Sequence, residues 1–322
     1  MNELFNLQAH LLQFDCQVET AIHLNAAAGG QIRGALWSAL SKMVCPDPAA
    51  RANSDHQQHC PLCRLMHLET VSARGINPAR PFAIRPPLNP RIEQAQILEA
   101  GHCFNFQIVL FGDAAGYIPY IVQAVYRVGE LGIGTGRGRF RLLSVKETNP
   151  FTGLTTSLYT TGSSLQPSMQ PILSAHIEAV TQQLITDRIA LHFLTPAQLT
   201  QDGRTLASPQ LETIIARLLE RCQSLEAIYS DHKMPHEVWR ERHLTLSAAA
   251  RNISIERDDT RWVDVWSRSG RTGHMDNIGG LVGTIIFKGD IAKLCFWLIY
   301  GQVLHVGKNA VKGNGWYEML NH

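Results

Sequence analysis

The chain is short of charge, of lysine and of long apolar runs. Only 17% of its 322 residues are charged, and the two signs nearly cancel at a formal +2. So even a balance supplies no bulk attraction for nucleic acid, while a hydrophobic content of 45% excludes a disordered chain. Of the 29 basic residues, 22 are Arg and 7 are Lys. A planar guanidinium matches phosphate and base edges better than an ammonium does. No apolar stretch approaches the roughly 20 residues that span a bilayer. Even FWLIYGQVLHV is broken by Gly301 and Gln302. The opening MNELFNLQAHLLQFD lacks the basic start and apolar core of a signal peptide. Seven cysteines, an odd number in a large chain, argue against a disulfide framework. The expected setting is a reducing cytoplasm without a membrane partner.

What is present is a pattern that occurs twice. His102 to Phe111 alternates as a strand, with Phe104, Phe106, Ile108 and Leu110 on one side. A helix from Pro119 follows, carrying Ile121, Val122, Val125 and Val128, and then the basic glycine loop GIGTGRGRFR with Arg137, Arg139 and Arg141. About 175 residues later the order returns. Leu281 to Phe287 forms a strand apolar on both faces, a helical segment opens at Asp290, and a second basic glycine loop runs from His305 to Gly315. Gly307, Gly313 and Gly315 permit close backbone approach beside Lys308 and Lys312, a composition suited to phosphate, although a plain basic turn has the same composition. The repeat predicts two similar domains, 1–148 and 171–322, joined by a polar linker over 149–170.

Around these units the spacing predicts a long first strand from Leu4 to Leu24 and a helix with Ile32, Leu36, Trp37, Leu40 and Met43 inward. Arg33 falls in the first turn of that helix, the unfavourable end for a cation, which asks for a partner or a ligand, although a solvated surface arginine fits the same position. Ile172 to Ile185 fits helix and strand equally. Ser208-Pro209 is a capping signal for a helix with Leu211, Ile214, Ile215, Leu218, Leu219, Cys222, Leu225 and Ile228. Between Arg251 and Arg271, arginines including Arg268 alternate with Trp262 and Trp266, a combination that stacks bases and offsets phosphate charge, although a solvated strand ladder shows the same pattern.

Residues 45–67 form a cysteine- and histidine-bearing insertion. Cys60-Pro-Leu-Cys63 is a two-residue knuckle, with Cys45 upstream and His56, His59 and His67 nearby. Three thiolates and one imidazole would complete a structural tetrahedral zinc site, and the same residues could equally be free thiols in a loop.

The segments GALWSALSKMVCP with CPLCRLMH, LFGDAAGYIPYIVQAVYRVGELGIGTGRGRFRLL, FLTPAQLTQDGRTLASPQLETIIARLLERC and SGRTGHMDNIGGLVGTIIFKGDIAKLCFWLIYGQVLHVGKNAVKGNGWYEM together resemble the RAMP superfamily of CRISPR-associated proteins. Within it they are most similar to the pre-crRNA-processing endoribonucleases. The resemblance implies an α+β fold of tandem ferredoxin-like, RRM-like βαββαβ domains, with a glycine-rich loop near the C-terminus. The family loop is G-φ-G-x5-G-φ-G; His305 stands here for a glycine and Asn314 for an apolar residue. The resemblance further implies metal-independent cleavage of CRISPR repeat RNA to guide RNAs with 2′,3′-cyclic phosphate and 5′-hydroxyl ends, needing no cofactor for catalysis. The alternative within the superfamily is a non-cleaving subunit that grips the guide-RNA handle beside other CRISPR effector subunits. Many members place a histidine in or near the first helix, and the helix from Gln31 to Val44 has none. His305, His23 and Arg33 are therefore the catalytic candidates, with arginine an electrostatic aid because its pKa is too high for a base. Lys308, Lys312, Gly307, Gly313, Gly315, Arg137, Arg139, Arg141, Arg268 and Arg271 are the expected RNA contacts.

Overall fold

The computed structural model describes residues 5–69, 78–184, 187–268 and 273–320; Arg271 lies outside them. The first half contains β1 (Ala9–Val18), β2 (Ile22–Leu24), α1 (Ala28–Val44), α2 (Ser54–His59), α3 (Pro61–Met66), β3 (Phe82–Arg85), β4 (Gln96–Leu98), β5 (Cys103–Phe111), α4 (Ile118–Leu131), β6 (Phe140–Asn149) and β7 (Leu154–Thr160). The second contains α5 (Ser174–Thr181), β8 (Arg188–Ala197), β9 (Thr200–Gln201), β10 (Arg204–Thr205), α6 (Leu211–Tyr229) and α7 (His236–Arg251). It continues with β11 (Ser254–Asp258), β12 (Arg261–Val263), β13 (Trp266–Arg268), β14 (Met275–Asn277), β15 (Gly280–Lys288), α8 (Cys295–Leu304) and β16 (Tyr317–Leu320).

Each half is a βαββαβ unit with the same strand order. The first sheet runs β3-β5-β1-β6-β7 and the second β11-β15-β8-β16, with β12 also on β15. In both, the first strand of the unit lies between the third and the fourth, and every pairing is antiparallel. This is the tandem ferredoxin-like architecture. The alternating pattern explains it locally: Phe104, Phe106, Ile108 and Leu110 of β5 are all buried, and Phe14 faces Phe106 and Val145 across the ladder.

The two faces of the first sheet serve different cores. Leu12, Phe14, Cys16 and Val18 of β1 pack with Ile32, Leu36 and Leu40 of α1 and with Val125 of α4. Ala9 and Leu11 point the other way, into a cluster with Leu218 and Tyr229 of α6 and Leu298 of α8. The Tyr300 hydroxyl donates to Leu7 O across the same boundary at 2.8 Å. A continuous apolar core therefore crosses from one domain to the other, which opposes free hinge motion.

Four expectations change. The strand expected from Leu4 to Leu24 is two strands, because the amides of Glu19 and Thr20 both turn to Arg139 O and leave the ladder. The expected linker over 149–170 carries β7, which extends the first sheet beside β6; its threonines suit a strand as well as a loop. Ser208 does not cap α6: its hydroxyl donates to Asp258 at 2.5 Å, and Gln210 takes the N-cap position. The segment after Asp290 is a short 3-10 turn before α8 begins at Cys295. The ambiguous stretch near Ile177 is helix, with Ile177 buried. No helix among the described residues is long and apolar enough to cross a membrane.

Candidate nucleic-acid interface

Helix α1 stands as a ridge between two grooves. One is lined by Leu24, Ala27, Gly29, Pro86, Lys312 and Asn314, so it lies where the first domain meets the C-terminal glycine loop. The other is lined by Gln31, Gly34 and Ser38 of α1 together with Gly132, Gly134 and Arg137 of the first glycine loop. Both basic glycine loops thus border the same helix from opposite flanks.

Close packing sets the first groove. A Cβ on Gly29 would sit 2.2 Å from Lys312 O, so only glycine lets the start of α1 rest on the turn Ala310–Lys312. Within the loop, Val306 N donates to Gly315 O at 2.9 Å and Gly315 N donates to Pro196 O at 2.9 Å. Gly315 has φ +71, and a Cβ there would meet Val306 O at 1.9 Å. Gly307 and Gly315, expected to leave room for a ligand, instead leave room for the protein's own backbone, and Gly313 faces the Pro86 ring. What the loop offers outward is cationic: Lys308 is exposed, and Lys312 is partly buried beside α1.

The first turn of α1 holds no acidic side chain, and no side chain caps it. Arg33 lies one turn further along than expected, because the helix starts at Ala28. Its Nε is buried and has no hydrogen-bond partner among the described residues. Burial, and then the charge of Arg80, pull its guanidinium below the ordinary value. Burial, and then Arg33, likewise lower the ammonium of Lys312, with Asp276 opposing. A cation whose ammonium is lowered by burial and by a second cation, beside a helix start with no acidic residue, is an arrangement an anion would relieve.

The three catalytic candidates are not brought together. His305 has no exposed surface. It caps the C-terminal end of α8 with φ +63, and its Nδ1–H donates to Asn314 O at 3.1 Å. Its ring lies parallel to Trp316. Burial, followed by the charges of Arg85 and Arg221, holds its pKa well below the ordinary imidazole value. The expectation that His305 does acid–base chemistry on bound RNA is therefore corrected: no RNA atom can reach it in this structure. His23 is the reverse case. It is exposed on β2 between buried Ile22 and Leu24, and its carbonyl accepts from Thr135 of the first glycine loop at 3.0 Å. Leu24, the next residue, already lines the first groove.

Arg137, Arg139 and Arg141 are exposed, the last bonded to Gln17 at 2.8 Å. In the second domain Arg268 is exposed on the β13–β14 hairpin beside Trp266, which is 56% exposed. Trp262 donates its indole N–H to Asp264 at 3.0 Å, so its ring is fixed at the surface. At the far end of α1, the thiols of Cys45, Cys60 and Cys63 and a ring nitrogen of His56 lie within 4.8 Å of one another; His59 and His67 are not in this cluster. Two residues that matter went unnoticed in the sequence, Arg85 and Arg221. Their signal was a charged residue inside apolar runs, FAIR and IIARLLERC.

The fold and the site have counterparts among known proteins. Residues 7–171 match a family model described as an N-terminal domain, and residues 191–317 match the model of CRISPR-associated endoribonuclease Cas6. No curated protein matches the chain. Among solved structures, a Thermus thermophilus Cas6 is similar at 13% identity and a TM-score of 0.56, covering 98% of this chain and 99% of that one. The same Cas6 as a product complex gives 14% identity and a TM-score of 0.59 over 97% and 100% of the two chains. A partial Cas6-RT-Cas1–Cas2 complex gives 12% and 0.59, covering 98% of this chain and 46% of that chain. The duplicated ferredoxin-like fold, with basic glycine loops flanking its first helix, thus carries in its second half a domain similar to CRISPR-associated endoribonuclease Cas6.

Proposed function

We propose that the chain binds CRISPR repeat RNA over α1 and between the two glycine loops, and cleaves the precursor transcript there to release guide RNAs. The observation that carries this reading is Lys312 in the groove where the uncapped start of α1 meets the C-terminal glycine loop, its ammonium lowered by burial and by the charge of Arg33. In the proposed reaction the ribose 2′-oxygen attacks the adjacent phosphorus, a 2′ O–P bond forms, and the 5′ O–P bond breaks. One proton leaves the 2′-hydroxyl and one reaches the 5′-oxygen, giving 2′,3′-cyclic phosphate and 5′-hydroxyl ends. Arg33 would hold the negative charge that builds on the phosphorane. Lys312, with its ammonium made more acidic by burial and by Arg33, is the group suited to protonate the 5′-oxygen. His23, exposed on β2 next in sequence to groove-lining Leu24, is the remaining histidine candidate for the 2′ proton.

The chemistry requires no metal in this proposal, so the test is direct. Labelled repeat RNA is incubated with the protein in EDTA between about pH 6 and 9, the range in which imidazole changes charge. Cyclic-phosphate-ended fragments are the expected product, and intact RNA at every pH sinks the nuclease reading. A second reading, a non-cleaving subunit that holds the guide-RNA handle within an effector complex, draws on two observations: α1 has no histidine, and His305 is buried in the core. Tight binding of repeat RNA without cleavage, together with co-purifying effector subunits, selects it.

A further inference from the structure

The RNA-binding reading makes no use of the insertion between α1 and β3. Its two helices, α2 and α3, have six residues each, too few to hold themselves in water. They are nevertheless arranged around a buried cluster. Cys45 is the C-cap of α1, His56 sits in the last turn of α2, Cys60 is the N-cap of α3 and Cys63 lies within α3. The end of α1 and both α-helices of the insertion thus contribute one donor or more.

The geometry points to a structural zinc ion bound by Cys45, His56, Cys60 and Cys63, which fixes α3 as a brace between the two domains. Zinc–sulfur bonds of about 2.3 Å and zinc–nitrogen bonds of about 2.0 Å set the edges of a tetrahedron at roughly 3.8 Å between sulfurs and 3.5 Å between sulfur and nitrogen. The Sγ atoms of Cys45 and Cys63 are 3.8 Å apart, and Cys45 Sγ lies 3.4 Å from His56 Nε2. Both separations are tetrahedral edges, and 3.8 Å is far beyond a sulfur–sulfur bond of about 2.05 Å. All three cysteines are buried, while the imidazole is partly exposed.

The surroundings match the charge such a centre would carry. Three thiolates and one neutral imidazole around a divalent ion leave one negative charge. The Arg51 guanidinium supplies the opposite one: Nε donates toward Cys45 Sγ at 3.4 Å, and Nη2 donates to Cys45 O at 2.9 Å. The same guanidinium lies over Trp37 of α1, 5.2 Å from the ring centroid. That stacking explains why Trp37, expected in the core, sits at the surface. Gln57 then ties Arg51 O, at 2.8 Å, to Glu69 N, at 2.9 Å. Partners of this kind hold metal ligands in orientation.

The brace begins at the residue after Cys63. Arg64 donates to Asp113 at 2.5 Å within its own domain and to Ile228 O of α6 at 2.9 Å in the other. Its guanidinium also covers the Tyr229 ring at 4.7 Å. A metal that fixes α3 therefore fixes a contact between the domains, and through Cys45 it fixes the end of α1 opposite Arg33.

The test uses the full chain purified under reducing conditions. Metal analysis should find about one zinc per chain, and Cys63→Ser should lose it. Cobalt exchanged into the protein should show the intense visible absorption of tetrahedral thiolate coordination, and His56→Cys should keep the metal. Less than about half an equivalent of zinc with no retained cobalt, or a Cys45–Cys63 disulfide in the mass spectrum, overturns the site. Because Cys63→Ser can fail to fold, the brace is tested on folded protein. Chelation should lower the melting temperature by several degrees, and the drop should shrink in Arg64→Ala, which should keep its zinc. An equal drop in Arg64→Ala overturns the brace.

Discussion

Arg85 and Arg221 cross the boundary between the domains in opposite directions. Arg85, at the end of β3, donates to Gln302 O of α8 at 2.8 Å. Arg221, on α6, donates to Phe82 O of β3 at 3.2 Å and to Leu304 O at 2.9 Å. Neither forms an ion pair with a carboxylate among the described residues. Burial draws both guanidiniums down to about 10, which leaves them charged at neutral pH. Each positive charge is held by carbonyl dipoles of the other domain and by an aromatic face, Trp316 under Arg85 and Phe111 under Arg221.

Removing either arginine should therefore destabilise the joined pair of domains, not one domain alone. Arg85→Ala leaves Gln302 O unpaired in the interior, and the expected loss is about 2–4 kcal/mol, read from the urea midpoint. Arg85→Lys should fall between the two, since an ammonium cannot reach Gln107 and Gln302 O with one planar group. An Arg85→Ala midpoint equal to wild type would refute the clasp.

Lys312 and Arg33 should separate in their effects on RNA. Lys312→Ala should reduce the salt slope of repeat-RNA binding by about one charge, measured by titration at several ionic strengths. If Arg33 stabilises the phosphorane, Arg33→Ala should cut single-turnover cleavage by ~10²-fold beyond its effect on binding. Equal losses in binding and rate would make Arg33 a tether only.

His23 and His305 should behave as opposites. His23→Ala should lower the cleavage rate by ~10²–10⁴ with binding retained if it takes the 2′ proton. His305→Asn, which keeps a residue tolerant of positive φ, should leave the rate unchanged. Its effect belongs to stability. Folded His305 is held well below 6.5 by burial, then by Arg85 and Arg221. As pH falls below about 6.5 the unfolded chain takes up this proton and the folded chain does not, so stability is lost. Stability profiles of His305→Asn between about pH 7 and 5 should be flatter than wild type.

Glu147 should control a more acidic transition. It has no exposed surface, and burial alone would raise its pKa. Hydrogen bonds from His10 at 2.7 Å, Ser168 at 2.7 Å, Met169 N at 2.8 Å and Gln170 N at 2.8 Å reverse that and bring it to about 2. The stability it contributes is complete above the ordinary value of 4.5 and is lost as pH falls from there toward 2. Glu147→Gln should cost about 2–3 kcal/mol at neutral pH and flatten that acid limb in denaturation measurements.

The repeated unit was legible because its signal is local. Alternation in β5, the apolar faces of α4 and α6, and two glycine loops at a fixed offset need no knowledge of what they pack against. The cysteine knuckle was legible for the same reason, since Cys60 and Cys63 are one helical turn apart. Which histidine joins them was not, because His56, His59 and His67 differ only in where the folded insertion points them.

The basic loop that closes the chain divides most clearly between what the residues and the fold each set. Its residues alone determined a glycine-punctuated turn with two lysines and a histidine. Tertiary structure decided their fates. Packing against Pro196, Pro86 and α1 turned the glycines inward, stacked a buried His305 on Trp316, and left Lys308 exposed with Lys312 partly buried beside α1. A histidine's burial depends on neighbours more than a hundred residues away, such as Pro196 and Arg85, and no spacing within the loop encodes them.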